Sequence, residues 1–361
     1  MTSNSVVIVG GGYVGVELAK ALEGDMNVTL VEPRAAFVHA PAMIRSIVDP
    51  SVLGRALIPY DTLLKKGRVV RDRATAIQAT GVTLAGGEEL AADFVVVATG
   101  STNGAAFKPE GDSIEDFQAA QARTHEAIKA ASKIAIVGAG AVGTELAGEI
   151  AHAMPAKKVT LISDGARLFP KMPDKLGNEL ARKLGEMGVA LVLGTRVEDL
   201  ASTTEPFPGP LTLSTGQVID ADLVIPAIGS RANTALLDGL PGVRHGGGGR
   251  VKVDAYLRPS DYPNLFVAGD VADAGDAMTI VAISRQQPWL AKTLKHVAAG
   301  KPIQAVKPYT PWGKAPILVP LGPERGNSFL MIATLGDRVT RMMKGRDLFI
   351  PKYRKILGKS A

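Results

Sequence analysis

An α/β fold of two Rossmann-like units is predicted by three observations: the order strand, glycine turn, helix, strand occurs twice, both copies keep one glycine spacing, and further apolar strands end in small residues. The first copy begins with the run Val6 to Val9, continues through Gly10, Gly11, Gly12, Tyr13, Val14 and Gly15 into a helix, and returns as Val28 to Val31 with Glu32 at its end. Each part has a physical task. Gly10 makes the tight turn, Gly12 lets the backbone approach a pyrophosphate, and Gly15 permits close helix–strand packing. The free N–H groups of the helix start favour the phosphate charge. Glu32, about 20 residues on, sits where a carboxylate takes the hydroxyls of an adenosine ribose.

The second copy runs from Ile134 to Asp164, with Gly138, Gly140, Val142 and Gly143 at the turn, and it repeats the Glu-Leu-Ala that follows the third glycine as Glu145-Leu146-Ala147. One glycine pattern alone is a weak sign; two copies a domain apart in the required setting point to two bound dinucleotides. Strands ending at Ala98-Thr99-Gly100 and at Ile228-Gly229 read as paired crossing points between the units. Asn264 to Asp270 is a further strand, ending Gly269-Asp270. A helix is expected from about Met278 to Ala299, kinked at Pro288. These features predict a split first domain, residues 1–107 and 232–300, holding FAD, with an NAD(P)H domain at 108–231 inserted into it. Residues 113–133 read as a helical connector and Pro241 to Arg250 as a surface loop. Residues 301–361 form a small α+β unit with a basic, amphipathic tail.

Composition limits the chemistry. With 361 residues, 46% apolar content, 40 Gly and 23 Pro, the chain suits a globular protein of two or three domains. It has no cysteine, so structural disulfides, thiolate metal sites and dithiol relays are excluded, and no metal site is expected. No apolar run approaches the roughly 20 residues of a membrane-spanning helix. The opening residues lack the pattern of a secretory signal, and Thr2 stands where N-myristoylation needs glycine. A cytoplasmic protein, free or peripheral on a membrane, is expected. The net charge of +6 is concentrated in the tail, at Arg338, Arg341, Lys344, Arg346, Lys352, Arg354, Lys355 and Lys359, rather than along a groove. Nucleic acid is therefore disfavoured as a partner, while a basic amphipathic tail suits either an anionic lipid surface or a docked helix with a solvated face. The chain is expected to be a monomer or homodimer.

With these motifs placed, the chain resembles the ferroptosis suppressor protein, or apoptosis-inducing-factor-like, family of FAD-dependent NAD(P)H:quinone oxidoreductases, related to type II NADH dehydrogenases and sharing the glutathione-reductase-like two-dinucleotide architecture. The segment Arg341-Met-Met-Lys344-Gly-Arg-Asp-Leu-Phe349 is the most specific match. The resemblance implies that FAD is held by the first glycine turn with Glu32, Arg34, Arg45, Ala74, Ala98, Thr99, Gly100 and Asp270. It implies NADH or NADPH on the second turn with Ser163, Arg167 and Gly229. Hydride would pass from the nicotinamide to the flavin and onward to a quinone. Glu145 and Lys344 are the catalytic candidates. Glu145 contacts the nicotinamide or pairs with a cation, or is simply an acid that suits a helix start. Lys344 stabilises charge on flavin or quinol, or is one more solvated tail lysine. His39, Gln286 and Gln287 are further possible contacts. The family's myristoylated glycine is absent. Ser163 replaces the acid that favours NADH, with Arg167 close in sequence while Asp164 pulls the other way, so both nicotinamides are expected to serve. Two other readings remain: a ferredoxin- or rubredoxin-type reductase with an acidic protein partner, and a flavin-fold signalling or nucleic-acid-binding protein.

Overall fold

The computed structural model describes residues 4–78, 80–259 and 262–360; Thr2 lies outside them. Two parallel sheets carry the two glycine turns. The first has five strands, in the order Leu265–Val267, Phe94–Val97, β1 (Ser5–Val9), β2 (Asn27–Val31) and Arg68–Val70. The second has four, in the order Ala190–Leu193, Lys158–Ser163, Lys133–Val137 and Leu223–Pro226. The central strands are runs of Val, Ile and Leu because both faces of a parallel sheet are covered. Val6, Ile8, Val96 and Phe266 are fully buried in the first unit, as are Ala135 and Ile136 in the second.

Helix α1 (Tyr13–Leu22) follows β1 directly and buries Val14, Val16, Leu18 and Leu22 against the first sheet. Helix α2 (Ala40–Ser46) differs in that almost all of it is buried. Its Ile44 belongs to the core of the second unit, so α2 ties the two units together. The chain crosses between units at a two-stranded antiparallel pair, Ser101–Thr102 with Arg231–Ala232. Asn233 locks this crossing, donating from Nδ2 to the Thr99 carbonyl at 2.9 Å while its own carbonyl accepts from Thr99 Oγ1 at 2.7 Å. The connector helix spans Ile114–Ala130, started by Ser113, whose hydroxyl accepts from the Asp116 N–H at 2.9 Å.

The helix expected across 278–299 is two helices, Ile280–Ile283 and Gln286–Ala298. Pro288 lies in the first turn of the second, where its missing N–H costs nothing, and so starts a helix rather than kinking one. The tail also resolves one way. Tyr353 and Leu357 of the helix Ile350–Ile356 and its end are buried against the first unit, and Ile350 packs with Met43, Leu57 and Phe117, so its apolar face docks on protein and its basic face is solvated. The preceding antiparallel sheet, Ile317–Leu321, Arg325–Phe329 and Thr334–Leu335, packs instead on the second unit. Gly148 makes that possible, since a Cβ there would lie 2.5 Å from the Leu321 Cα. Among the described residues no helix is long and apolar enough to cross a membrane.

An aromatic cluster seals the tail. Tyr13 meets Phe37 and Tyr353 edge-on at centroid distances of 5.1 and 4.9 Å, and Phe37 stacks on Tyr353 at 5.5 Å. Fully buried His39 sits among them, with Nε2 2.5 Å from the Leu348 carbonyl and Nδ1 3.1 Å from the Tyr13 hydroxyl. A carbonyl only accepts, so Nε2 carries the proton and Nδ1 accepts from Tyr13. Burial holds the imidazole neutral, lowering its pKa to about 4 despite the Leu348 carbonyl. Because the folded-state pKa lies below the unfolded value, this group's contribution is complete above pH 6.5 and is lost as pH falls through about 4. About 3 kcal/mol is at stake over that window. Denaturant unfolding at several pH values between 7.5 and 4 should show a shallower loss of stability for His39→Gln than for the parent chain.

Candidate active site

The first glycine turn is built by exclusion. Gly10 has φ +107°, and a Cβ there would lie 2.5 Å from the Ala98 carbonyl oxygen, so the turn sits directly on the neighbouring strand end. A Cβ on Gly15 would fall inside the Gly10 carbonyl oxygen. Gly11 is hemmed by Tyr60, whose hydroxyl donates to the Gly11 carbonyl at 2.8 Å, and by Glu32, whose Oε2 accepts the Gly11 N–H at 2.7 Å. Only Gly12 faces open space, with nothing within 4 Å of its Cβ position. It is also the N-cap of α1, with no side chain capping the helix, so this is where an anionic group fits.

The cavity in front of this turn is lined by Gly10 to Val14, Arg34, Phe37, Val38, Ala40, Tyr60, Ala98 to Ser101, Lys108, Pro109, Asn233, Gly269 and Asp270. Asp270 Oδ2 accepts from Ser101 Oγ at 2.6 Å and Lys108 Nζ at 3.2 Å, whereas its buried Oδ1 has no partner among the described residues. An unpaired buried carboxylate oxygen calls for a donor, which a hydroxyl-bearing chain such as the ribityl group of FAD supplies. Open space at Gly12 and this orphaned oxygen both fit FAD.

Other predicted contacts are placed differently. Glu32 is buried behind Arg34, which donates to Oε1 from Nε at 2.7 Å, so Arg34 rather than Glu32 walls the cavity. Ala74 belongs to a separate antiparallel meander with Gly81–Leu84 and Glu89–Ala91, and does not line the cavity. Arg45 does not line it either. Its guanidinium instead grips Glu149 through Nε (3.1 and 3.0 Å to the two carboxylate oxygens) and Nη2 (2.8 Å). Gln286 acts from behind, its Oε1 accepting the Gly269 N–H at 2.7 Å and its Nε2 donating to Asp276 at 2.8 Å. Gln287 donates to the Glu17 carbonyl.

The second turn reproduces the first. Gly138 has φ +112° and backs onto the Ala227 carbonyl, Gly143 closes on the Gly138 carbonyl, and Gly140 caps the helix Ala141–Ala153 with nothing within 4 Å of its Cβ position. Gly229, with φ +64°, lines a cleft with Thr102, Asn103, Thr203, Thr204, Ile228 and Arg231. Ser163 Oγ accepts the Gly165 N–H at 3.1 Å. Arg167 pairs with Asp174 and donates to the Pro170 carbonyl.

Between the two turns lies a largely apolar cavity. Its walls include Pro41, Ile44, Val142, Met278, Ile280, Pro316, Ile317 and Phe349, and it shares Tyr13, Ala40, Lys108 and Asp270 with the first cavity. Glu145 and Lys344 meet in its wall at 2.6 Å, and Lys344 Nζ also donates to the Leu318 carbonyl at 3.2 Å. Burial pushes the Glu145 carboxyl above the usual carboxylate range, and the Lys344 ammonium only partly offsets this. Lys344 is thus no solvated tail lysine, and Glu145 is no mere first-turn acid. Sequence reading did not find Tyr60, Lys108 or Asn233, which come from loops without a spacing rule.

The family model for pyridine nucleotide-disulphide oxidoreductases matches residues 59–293, and a second of the same description matches residues 5–52. The chain belongs to this family. Within it, apoptosis-inducing factor homolog B of Dictyostelium discoideum is 32% identical over 98% of this chain and 97% of its own length. Ferroptosis suppressor protein 1 of Homo sapiens is 27% identical over 98% and 96%. Among solved structures, the fold is shared with the sulfide:quinone oxidoreductase of Aquifex aeolicus (TM-score 0.80, 16% identity, 99% of this chain and 92% of that one). It is shared also with NDH2 of Plasmodium falciparum, solved with NADH (TM-score 0.75, 14% identity, 97% and 98%). This oxidoreductase is therefore FAD-dependent and uses NAD(P)H. Its family name notwithstanding, it carries no cysteine for a disulphide relay.

The glycines separate two effects of adding one methyl group. Gly12→Ala should fold, with a melting temperature close to that of the parent apoprotein, yet lose at least about tenfold in FAD affinity because the methyl group occupies the phosphate's place. Gly15→Ala forces backbone against backbone, costs about 3 kcal/mol or more, and should yield little folded protein. Flavin absorbance and circular dichroism of the two purified variants check the contrast.

Proposed function

We propose that this oxidoreductase passes the electrons of NAD(P)H through FAD to a quinone of the ubiquinone type, working at the surface of an anionic membrane. The observation that carries the acceptor is the apolar cavity with its buried Lys344–Glu145 pair, in a chain without cysteines. Bound FAD supplies the exchange between a two-electron hydride donor and the acceptor. The protein's residues do the rest. Pro41, Ile44, Ile317 and Phe349 exclude water and admit a flat apolar ring. Lys344 places a fixed positive charge where a quinone oxygen becomes negative. Glu145, bonded to the Lys344 ammonium at 2.6 Å, holds that charge in the wall of the cavity. The Aquifex aeolicus neighbour, named for its quinone, lends support through the common fold.

The membrane contact falls on a surface cleft rather than on the tail's apolar face. Arg55, Arg338, Arg341 and Arg346 line it, with Asp347 among them, beside Met342, which is 74% exposed. Cations beside an exposed apolar side chain suit anionic lipid.

Lys344→Met is expected to retain FAD and to lower turnover with a short-chain quinone by about tenfold to a hundredfold, as for loss of one preorganised charge. Steady-state NADH oxidation checks this, with an acidic iron–sulfur protein as the alternative acceptor; faster reduction of that protein than of quinone would replace the quinone reading. For the donor, Ser163 offers no carboxylate and Arg167 is engaged by Asp174, so nothing selects strongly. The kcat/KM values for NADH and NADPH should lie within about a hundredfold of each other, the discrimination that a dedicated polar contact exceeds.

A further inference from the structure

Lys344 reaches the cavity from an unusual turn. Residues Arg341–Gly345 form a π-turn, wider than an α-helix, closed by the Arg346 N–H on the Arg341 carbonyl at 2.9 Å. Such a turn has poor internal bonding, so its shape needs outside support. Arg45 supplies it: Nη1 donates at 2.7 Å to the carbonyl of Gly345, the residue next to Lys344. Nε and Nη2 of the same guanidinium hold the Glu149 carboxylate. Glu149 stands one turn beyond Glu145 on the helix Ala141–Ala153, so two buried ion pairs stack along one helix face, Lys344 on Glu145 and Arg45 on Glu149.

We propose that Arg45 is a positioning residue for acceptor reduction: fixed by Glu149, it holds the Gly345 carbonyl and so sets where the Lys344 ammonium lies in the cavity. Only arginine suits the post, because one planar group must serve a carboxylate and a carbonyl at once. A simple stabilising ion pair would need no bond to Gly345. The inference rests on Lys344 serving the acceptor as proposed above.

The test uses FAD-loaded enzyme, with rates expressed per bound flavin so that loss of folded protein drops out. Arg45→Met should lower kcat with a short-chain quinone by about tenfold, with KM for NADH within about twofold of the parent and single-turnover bleaching of the flavin by NADH unchanged. Glu149→Gln, which keeps the acceptor's shape, should fall in the same direction by less. In a Lys344→Met background, Arg45→Met should cost nothing further, since it acts through the missing ammonium. Full turnover per flavin in both Arg45→Met and Glu149→Gln overturns the proposal, as does an additive loss in the double variant or a loss confined to FAD content. If Lys344→Met itself turns over normally, the acceptor reading fails; if it is slow while Arg45→Met is not, only the role of Arg45 fails.

Discussion

At each glycine turn a backbone carbonyl occupies the place where a side chain would be. Gly10 and Gly138 lie on the strand ends at Ala98 and Ala227, and Gly15 and Gly143 press on the carbonyls of Gly10 and Gly138. The rest of the structure depends on that contact. It sets the helix start close to the end of its sheet, which directs the uncapped N–H groups of α1 and of its counterpart outward past Gly12 and Gly140. It also brings the crossing strand into reach, so that Thr99 and Asn233 can lock the passage between units. A cradle thus follows from one steric demand, met twice, and the first copy also fixes the crossing between units.

What the cradles do not provide is a wall between them, and the C-terminal sixty residues build it. Their sheet packs on the second unit through Gly148, while their last helix packs on the first through Tyr353 and Leu357. The segment in between, from Lys344 to Phe349, must bridge the cavity. Removal of water from it makes the Lys344–Glu145 pair electrostatically strong, and it makes either partner costly to leave alone. Partial compensation comes from the Leu318 carbonyl, a third polar contact for the ammonium. A buried pair of this kind contributes little net stability, so its place in the wall of the apolar cavity is better explained by the chemistry proposed for it than by folding.

Sequence showed the parts governed by local rules. Glycine spacing located both turns, the apolar runs located the sheets, and the absence of cysteine excluded a relay. Asp270 was legible as the acid ending a late strand, and its orphaned oxygen faces the first cavity. Long-range partners were not legible, because nothing in the local pattern ties position 45 to position 149, or 145 to 344. Arg45 therefore read as a flavin contact from its match to the family's FAD-contacting arginine, whereas its guanidinium is bound to Glu149 and the Gly345 carbonyl and does not line the glycine cavity. The tail failed in a similar way. Its alternation of apolar and basic residues fits lipid and protein equally, and only the match of Tyr353 to Tyr13 and Phe37 decides for protein.

The two cradles, alike in backbone, differ in what closes over them. The first is flanked by Arg34, Tyr60, Lys108 and Asn233, side chains drawn from four separate segments, and it contains a carboxylate oxygen awaiting a donor. The second offers Ser163 and Arg167, both already engaged by their own neighbours. A ligand held by many converging groups leaves slowly, whereas one held mainly by a helix start exchanges readily. On the function proposed above, the first cradle therefore suits lasting retention of FAD and the second suits an exchanging nicotinamide. With no thiol in the chain, electrons held on the flavin would, on the function proposed above, leave through the cavity that shares Asp270 and Lys108 with the first cradle, where Lys344 stands.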